Sequence, residues 1–247
     1  MGKAGRILVL ISLTMVSTAL LPRLSERLPG VDFFRVTEVS IEGNRYLSAE
    51  EIREAAGLRS DANVWDDRGP ILEHLLAHPA IGSARIGRRL PSRLTIEVVE
   101  REPVALLPNP MLVPVDAEGT ILPIDPVAQR LDLPLLHPRR DPAGKGPPLN
   151  ALQLRTLVTE LQRMAQVNPD VLASVSDVGL DLWGDVVMRM ENGVVLQYRT
   201  PLSSRRLQEG LTVLADAIER NPGRRPAEID LRFADQVVVR LAPSNGR

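Results

Sequence analysis

The sequence lacks several residues on which common protein chemistries depend. It contains no cysteine, so disulfide bonds, thiol catalysis and thiolate metal sites are all excluded. Aromatic residues make up only 3% of the chain, and hydrophobic cores must therefore be built mainly from Val, Leu, Ile and Ala. The formal net charge of -1 gives no general attraction to nucleic acid or to an anionic surface.

Histidine is also scarce, and no constellation of catalytic or ligand residues stands out. His74 and His78 are four residues apart, as in a metal-binding helix, but no Glu lies between them and no third ligand follows. Gly144 and Gly146 lie among prolines without a helix start after them, which is typical of a loop rather than of a phosphate-binding turn. We therefore predict no catalytic, metal-binding or cofactor-binding residues, and a protein that is not an enzyme.

Basic residues form only local clusters, and no aromatic residues are interleaved with them. Binding of single-stranded nucleic acid depends on aromatic rings that stack on bases, so nucleic acid is not an expected partner. Such clusters are typical of solvated corners, and some contact protein partners or lipid headgroups. The clusters are Arg85–Arg93, Arg139-Arg140, Arg205-Arg206 and Arg224-Arg225.

One long hydrophobic run lies near the N-terminus, from Ile7 to Leu21, and it contains no charged residue. At about 1.5 Å per residue the run spans roughly 22 Å, less than the roughly 30 Å hydrocarbon core of a bilayer. A core helix is disfavoured because the run has no polar face. Because the run is apolar on all sides, it is predicted to enter a membrane. The residues predicted to contact lipid are Ile7, Leu10, Leu13, Val16 and Leu20.

Two fates of this run remain open on the sequence. Ser17 and Ala19 form a small-x-small site at which a secretory signal peptide is cleaved. The apolar Leu20 and Leu21 continue the run past that site, which favours an uncleaved signal anchor. In either case the basic residues ahead of the run predict a cytoplasmic N-terminus and an extracytoplasmic remainder.

A small module is predicted directly after this N-terminal region. A strand from Phe34 to Ile41 ends at Gly43-Asn44, a pair that tolerates positive φ and reverses the chain. Ser48 and Glu51 form an S-x-x-E capping box at the start of a helix. The pattern then predicts a second helix opened by Pro70 and two strands that contain Ala84–Ile86 and Leu94–Val98. This β-α-α-β-β order packs two helices on one face of a three-stranded sheet.

The chain beyond Pro103 predicts a second, β-rich region with two helices. Apolar positions at helical spacing, Leu154 to Met164, predict one helix, and Ser203 or Ser204 begins the other. Asn192-Gly193 lies between alternating runs and is a strong hairpin signal. The predicted strands are Val104–Leu107, Met111–Val115, Ile121–Pro123, Leu133–Leu136, Val178–Leu182, Val186–Met190, Val194–Tyr198, Ile229–Phe233 and Gln236–Leu241. The whole chain is thus predicted to be α+β, with an antiparallel or mixed sheet in this region.

The last predicted strand, Gln236–Leu241, is a candidate for contact with another chain. Apolar Val237, Val239 and Leu241 alternate along it, and it lies near the C-terminus of the sequence. It is either an interior strand whose side chains pack on both sides or an edge strand that can accept a strand from a partner. A similar choice between core packing and surface contact applies to Phe233, Trp65 and Trp183. Aromatic rings in proteins are often packing residues.

Several of these segments together resemble a known family. The pattern R-x-L-P-x-x-L-x-I-x-V-x-E-R-x-P-V-A runs from Arg88 to Ala105, after VSIEGNRYLSAEEI and before VDAEGTILP and IDLRFADQVVVRL. These stretches resemble the POTRA domain and the following β domain of the FtsQ/DivIB bacterial cell-division proteins. The resemblance implies residues 1–32 as cytoplasmic end, transmembrane signal anchor and linker, 33–102 as POTRA domain, 103–242 as FtsQ-type β domain and 243–247 as C-terminal tail.

The resemblance also implies a location and a function. The protein would be a single-pass bacterial inner-membrane protein with a cytoplasmic N-terminus and a periplasmic bulk. It would act without catalysis, linking early and late septal division proteins such as FtsK, FtsW and FtsI. An FtsB/DivIC–FtsL complex would bind by strand addition at the C-terminal strand. The implied partner-binding residues are Leu231, Arg232, Phe233, Val237 and Val239.

Two alternative functions belong to other classes of protein. A secreted or outer-membrane-linked POTRA accessory of protein translocation would show true signal cleavage. A periplasmic hydrolase carrying this module would show ionisable residues with perturbed pKa values in one cleft.

Overall fold

The computed structural model describes residues 32–109, 111–137, 148–222 and 224–242. The predicted membrane run Ile7–Leu21, with its lipid-facing residues Ile7, Leu10, Leu13, Val16 and Leu20, lies outside them, as does the predicted tail 243–247. No helix within the described ranges combines the length and the apolar character that crossing a bilayer requires. The chain divides into two units between Arg101 and Glu102, and each unit is described separately.

The first unit contains a three-stranded sheet in the order β1-β3-β2, with β3 parallel to β1 and antiparallel to β2. Ile52, Leu75 and Ile96 are fully buried in its core. The predicted β-α-α-β-β order is confirmed. Its elements are β1 (Glu38–Glu42), α1 (Ala49–Ala55), α2 (Gly69–Ala77), β2 (Ile81–Arg89) and β3 (Arg93–Glu100).

Local sequence signals fix the boundaries of these elements. The Ser48 side chain accepts a hydrogen bond from Glu51 N, and Glu51 Oε2 accepts one from Ser48 N at 2.7 Å, so the predicted capping box is confirmed. Pro70 lies in the first turn of α2. Gly43 adopts φ +86°, and a Cβ atom there would lie 2.2 Å from Val98 O, so only glycine fits this turn.

The first strand is shorter than predicted. Phe34 lies in a 3-10 turn, Asp32–Phe34, and the strand begins only at Glu38. Val36 N donates to Ala62 O at 2.8 Å, and Thr37 N donates to Ser92 O at 2.9 Å. The entering chain therefore bonds to loops, which alternation of apolar residues alone does not reveal.

The second unit contains an eight-stranded mixed sheet in the order β11-β10-β9-β8-β7-β6-β4-β5. Strand pairs are parallel at β10–β9, β7–β6 and β6–β4, and antiparallel elsewhere. Its strands are β4 (Pro103–Asn109), β5 (Met111–Asp116), β6 (Leu135–His137), β7 (Val175–Leu180), β8 (Val186–Met190), β9 (Val195–Tyr198), β10 (Pro226–Asp230) and β11 (Val238–Leu241). Its helices are α3 (Ala151–Val167), α4 (Pro169–Ala173) and α5 (Ser204–Arg220).

One apolar core joins the long helices of this unit to its sheet. The α3 residues Leu154, Leu157, Val158, Leu161 and Met164 are buried in that core, as their helical spacing predicted. Leu207 of α5 is buried in the same cluster. The predicted α+β class, with helices on a mixed sheet, is confirmed for the part of the chain that the structure describes.

Three predicted strands in this unit differ from the structure. Ile121–Pro123 is not a strand, since only Ile121 forms an isolated bridge, to Val115. The predicted strand Ile229–Phe233 instead runs earlier, as β10 from Pro226 to Asp230, and the predicted strand Gln236–Leu241 is shorter, since β11 begins only at Val238. Residues 231–237 thus form a loop, called here the β10–β11 loop.

Candidate partner-binding surface

The last strand, β11, lies at one end of the eight-stranded sheet. Its inner side pairs with β10 in antiparallel register, with Val239 opposite Ile229 and Arg240 opposite Glu228. Its outer side faces no other strand within the described residues. The sequence left open whether this segment is an interior or an edge strand, and in the structure it is an edge strand.

Backbone hydrogen bonds define which groups of β11 point away from the sheet. Leu231 N donates to Gln197 O of β9 at 2.7 Å, and Ala242 N donates to Arg225 O at 2.8 Å. Backbone groups of successive residues point to opposite sides of a strand, so Val239 and Leu241 present their N–H and C=O groups outward. These are the groups that a strand added to this edge would bond.

The two faces of β11 differ in character. Val239 lies opposite the buried Ile229, so its side chain is on the face covered by the helices. Arg240 lies on the other face, where its Nη1 is 2.6 Å from Glu228 Oε1. The Arg240 side chain is 60% exposed, and ion pairs with such exposure contribute little to stability. An added strand would therefore meet an apolar face and a charged face.

The β10–β11 loop is held by an arginine that sequence analysis did not single out. Arg206, in the first turn of α5, donates through Nη2 to the backbone oxygens of Phe233 and Gln236. Its Nη1 donates to Glu209 Oε2 at 2.9 Å, and its side chain is only 15% exposed. The sequence predicted Arg205-Arg206 as an ordinary basic cluster, because nothing local indicates partners about thirty positions away.

Arg232, a predicted partner-binding residue, is directed toward three carboxylates of its own chain. Its Nη2 is 2.7 Å from Asp230 Oδ2, and its Nη1 lies 3.4 Å from Asp181 Oδ2 and 3.7 Å from Asp185 Oδ2. The Arg232 side chain is 20% exposed and Asp230 only 1%. Hydrogen bonds from Arg232 lower the pKa of Asp230 and in turn raise the pKa of Arg232. The ion pair thus ties the β10–β11 loop to the turn between β7 and β8.

That β7–β8 turn, Asp181–Asp185, presents an exposed tryptophan. Asp181 Oδ1 accepts hydrogen bonds from Trp183 N at 2.8 Å and from Asp185 N at 2.9 Å, which fixes the turn. Trp183 is 81% exposed and Leu182 is 42% exposed. The sequence left Trp183 open as a packing residue, and the structure places its ring in solvent.

The other predicted partner-binding residues divide between surface and core. Phe233 is 45% exposed. Val237 and Val239 are partly buried, and Val237 packs against the core. Leu231 is only 5% exposed, and its Cδ2 would lie 2.8 Å from a Cβ atom on Gly210. Leu231 is therefore packed in the core beneath this surface, while the Phe233 side chain is exposed on it.

Across the described ranges, no group of three His, Asp or Glu residues could hold a metal ion. His78, half of the i, i+4 pair, accepts a hydrogen bond from Ala80 N on its Nδ1 at 3.3 Å, so this ring nitrogen has a structural role.

Comparison with known proteins gives a consistent picture. Residues 34–101 match the POTRA domain of the FtsQ type. The chain is 31% identical over 226 residues to the cell division protein FtsQ of Rhodothermus marinus, covering 83% of this chain and 77% of the relative. It is 28% identical over 215 residues to FtsQ of Bradyrhizobium diazoefficiens, covering 85% of this chain and 57% of the relative. The cell division protein DivIB of Staphylococcus aureus is 27% identical over 74 residues, which is 30% of this chain and 17% of the relative.

Proposed function

Because the chain belongs to the FtsQ/DivIB family of bacterial cell-division proteins, we propose that it is a non-catalytic assembly protein of the division septum. It binds an FtsB/DivIC–FtsL complex through strand addition at β11. Through other surfaces it links early division proteins such as FtsK with later ones such as FtsW and FtsI. Membership of this family, which the sequence resemblance predicted, is thus the premise of the proposal.

The position of β11 at the sheet edge is the observation that carries the proposal. A strand at an edge exposes unpaired N–H and C=O groups, and an extended segment of another chain can pair with them. The outward groups of Val239 and Leu241 supply this ladder. The contact needs no bond to be broken in either chain, in agreement with an assembly role.

The proposed location follows from the N-terminal run. Ile7–Leu21 is uncharged and preceded by Lys3 and Arg6, so we propose a membrane anchor with the two units on the periplasmic side. The sequence of the mature N-terminus tests this part separately, since an anchor is retained and a signal peptide is removed.

A matched pair of variants at Val239 tests strand addition. Val239→Pro removes the outward N–H without removing a bond to β10, because proline is tolerated where the N–H of an edge strand faces outward. Val239→Thr keeps that N–H and the β-branched shape. Full-length protein carrying each variant is co-expressed with the FtsB/DivIC–FtsL complex, and the captured complex is quantified.

The two variants are expected to behave differently. Val239→Pro should reduce capture by about tenfold or more, which corresponds to about 1.4 kcal/mol, the order of one or two lost hydrogen bonds. Val239→Thr should stay near the wild type, and both variants should melt at similar temperatures. Equal capture by the two variants would refute strand addition at β11.

A further inference from the structure

We propose that one end of the first unit lies on the surface of the membrane that holds the proposed anchor. This end carries Phe33, Arg89, Leu90 and Arg93 and is called here the entry surface, because the chain enters the unit there. The apolar side chains of the entry surface enter the headgroup region of a bilayer that contains anionic lipids, and its arginines contact lipid phosphates. This inference rests on the membrane anchor of the proposed function and adds a lipid-binding surface to it.

Hydrogen bonds bring two distant segments together at this end of the unit. Thr37 N donates to Ser92 O at 2.9 Å, and Thr37 Oγ1 donates to Ser92 Oγ at 3.0 Å, so the turn between β2 and β3 lies beside the entering chain. The turn carries Leu90, which is 57% exposed, and the entering 3-10 turn carries Phe33, which is 68% exposed. Two large hydrophobic side chains are therefore in solvent where the chain enters.

A row of contacts orders the entry surface. The Phe33 and Phe34 rings meet edge to face with centroids 5.2 Å apart, and Phe34 meets Trp65 in the same way at 5.9 Å. The Arg88 guanidinium lies 5.5 Å from the centre of the Trp65 ring and also donates to Asp66 O at 3.1 Å. Because these contacts exist without lipid, binding removes little further conformational freedom.

The entry surface also carries positive charge that its own chain leaves available. Arg93 pairs with Glu38 at 2.8 Å, but both side chains are more than half exposed, and ion pairs with such exposure are weak. Arg93 can therefore exchange this carboxylate for a lipid phosphate. Arg89 is exposed and forms no ion pair with another described residue. Arginine is well suited to phosphate because its planar guanidinium can donate two parallel hydrogen bonds.

The opposite end of the same unit has the opposite character. There β1 ends, α1 begins and β3 ends, and acidic residues outnumber basic ones. The residues at this end are Glu42, Glu50, Glu51 and Glu100, together with Arg45 and Arg101. An anionic bilayer therefore attracts the entry surface and repels the opposite end.

The length of chain before the unit allows this contact. Phe33 follows Leu21, the last residue of the predicted membrane run, by twelve residues. At most about 3.5 Å is spanned per residue, so Phe33 lies within about 40 Å of the run. With the entry surface on the bilayer, β3 leads away from it, and Val99 lies about 20 Å farther out than Arg93.

Fluorescence quenching in lipid nanodiscs tests the contact, because the natural chain has no cysteine and can be labelled at one chosen position. Full-length Leu90→Cys and Val99→Cys each receive a fluorophore and are placed in discs of phosphatidylglycerol and phosphatidylcholine with nitroxide-labelled headgroups. Both native side chains are largely exposed, so both variants should melt like the wild type. The label at 90 should be quenched about twofold or more relative to the label at 99, since nitroxide acts only at short range.

A matched pair of charge reversals tests the role of Arg89. In the labelled Leu90→Cys protein, Arg89→Glu should reduce quenching by about half, and discs of phosphatidylcholine alone should give a similar loss. Arg85→Glu changes an equally exposed arginine of the same strand, about 13 Å from Arg89, and should leave quenching nearly unchanged. Equal losses in the two charge reversals would overturn the assignment of Arg89.

The outcomes separate this inference from the anchor on which it rests. Elution of the protein together with the discs reports the anchor alone. If the protein elutes with the discs and the labels at 90 and 99 are quenched equally, the anchor stands and the entry surface is refuted. If the protein does not enter the discs, the proposed anchor fails, and the lipid contact fails with it. The discs contain no other protein, so quenching at 90 reports lipid rather than a protein partner.

Discussion

Replacing Gly43 by alanine tests the contact between the turn after β1 and the central strand of the first unit. Gly43 has φ +86°, in a region that L residues rarely adopt. An added Cβ would also lie 2.2 Å from Val98 O and 3.4 Å from Val98 C, which are backbone atoms of β3. Backbone atoms in a central strand cannot move aside as the end of a flexible side chain can.

The size of the effect follows from these two terms. An L residue in the left-handed region costs about 1–2 kcal/mol, and forcing extra atoms into a packed region costs about 1–3 kcal/mol more. Gly43→Ala should therefore lower the free energy of unfolding of the first unit by about 2–5 kcal/mol. This loss is a large part of the roughly 5–15 kcal/mol by which a domain is stable.

Gly193 provides a matched control for the backbone term. It has the same φ of +86°, but a Cβ there would meet no atom within 4 Å. Gly193→Ala should therefore cost only about 1–2 kcal/mol. Urea unfolding followed by hydrogen exchange of β3 for the first variant, and of β8 and β9 for the second, measures each unit separately. Equal losses in the two variants would refute the argument that contact with Val98 O makes glycine necessary.

Two further predictions concern stability. Ser48→Ala removes one half of the capping box and should cost about 1 kcal/mol, seen as faster hydrogen exchange in α1, whereas unchanged exchange would show that the cap is dispensable. Burial raises the pKa of Glu160, which is 4% exposed beside the hydroxyl of Tyr198, so the folded state binds its proton more tightly than the unfolded state. Stability from this proton is present below the unfolded pKa, about 4.3, and is lost as pH rises through the folded pKa. The stability of Glu160→Gln relative to the wild type should therefore rise between pH 4 and pH 7, and a constant difference in urea unfolding would contradict this.

Local signals in the sequence were sufficient for most elements of the fold. The capping box of Ser48 and Glu51, the Gly43 turn and the helical spacing from Leu154 to Met164 each act within a few residues of chain. The position of β11 remained open because strand order depends on pairings between distant segments. An alternating pattern such as Gln236–Leu241 is compatible with an edge or an interior strand.

The arrangement of the candidate site was harder to predict. Arg232 and Asp181 are 51 positions apart, and Arg206 and Phe233 are 27 apart, so no local motif relates them. The family resemblance implied both Arg232 and Phe233 as partner-binding residues, but it did not indicate which groups of the same chain either side chain contacts. The Arg232 guanidinium binds Asp230 and Asp181, carboxylates that the fold brings near it.

Strand addition at β11 can be measured directly by cysteine crosslinking, because the natural chain has no cysteine that would interfere. Single variants Val238→Cys, Val239→Cys, Arg240→Cys and Leu241→Cys are each combined with one cysteine in the partner segment, and disulfide formation is quantified. Side chains alternate between the two faces of a strand, and a disulfide needs directly opposite residues, so a partner cysteine that crosslinks best at 239 should crosslink little at 238 or 240. Moving that cysteine by two residues along the partner strand should shift the best crosslink from 239 to 241. Crosslinking of equal strength at all four positions, or at none for any partner cysteine, would contradict pairing at this edge.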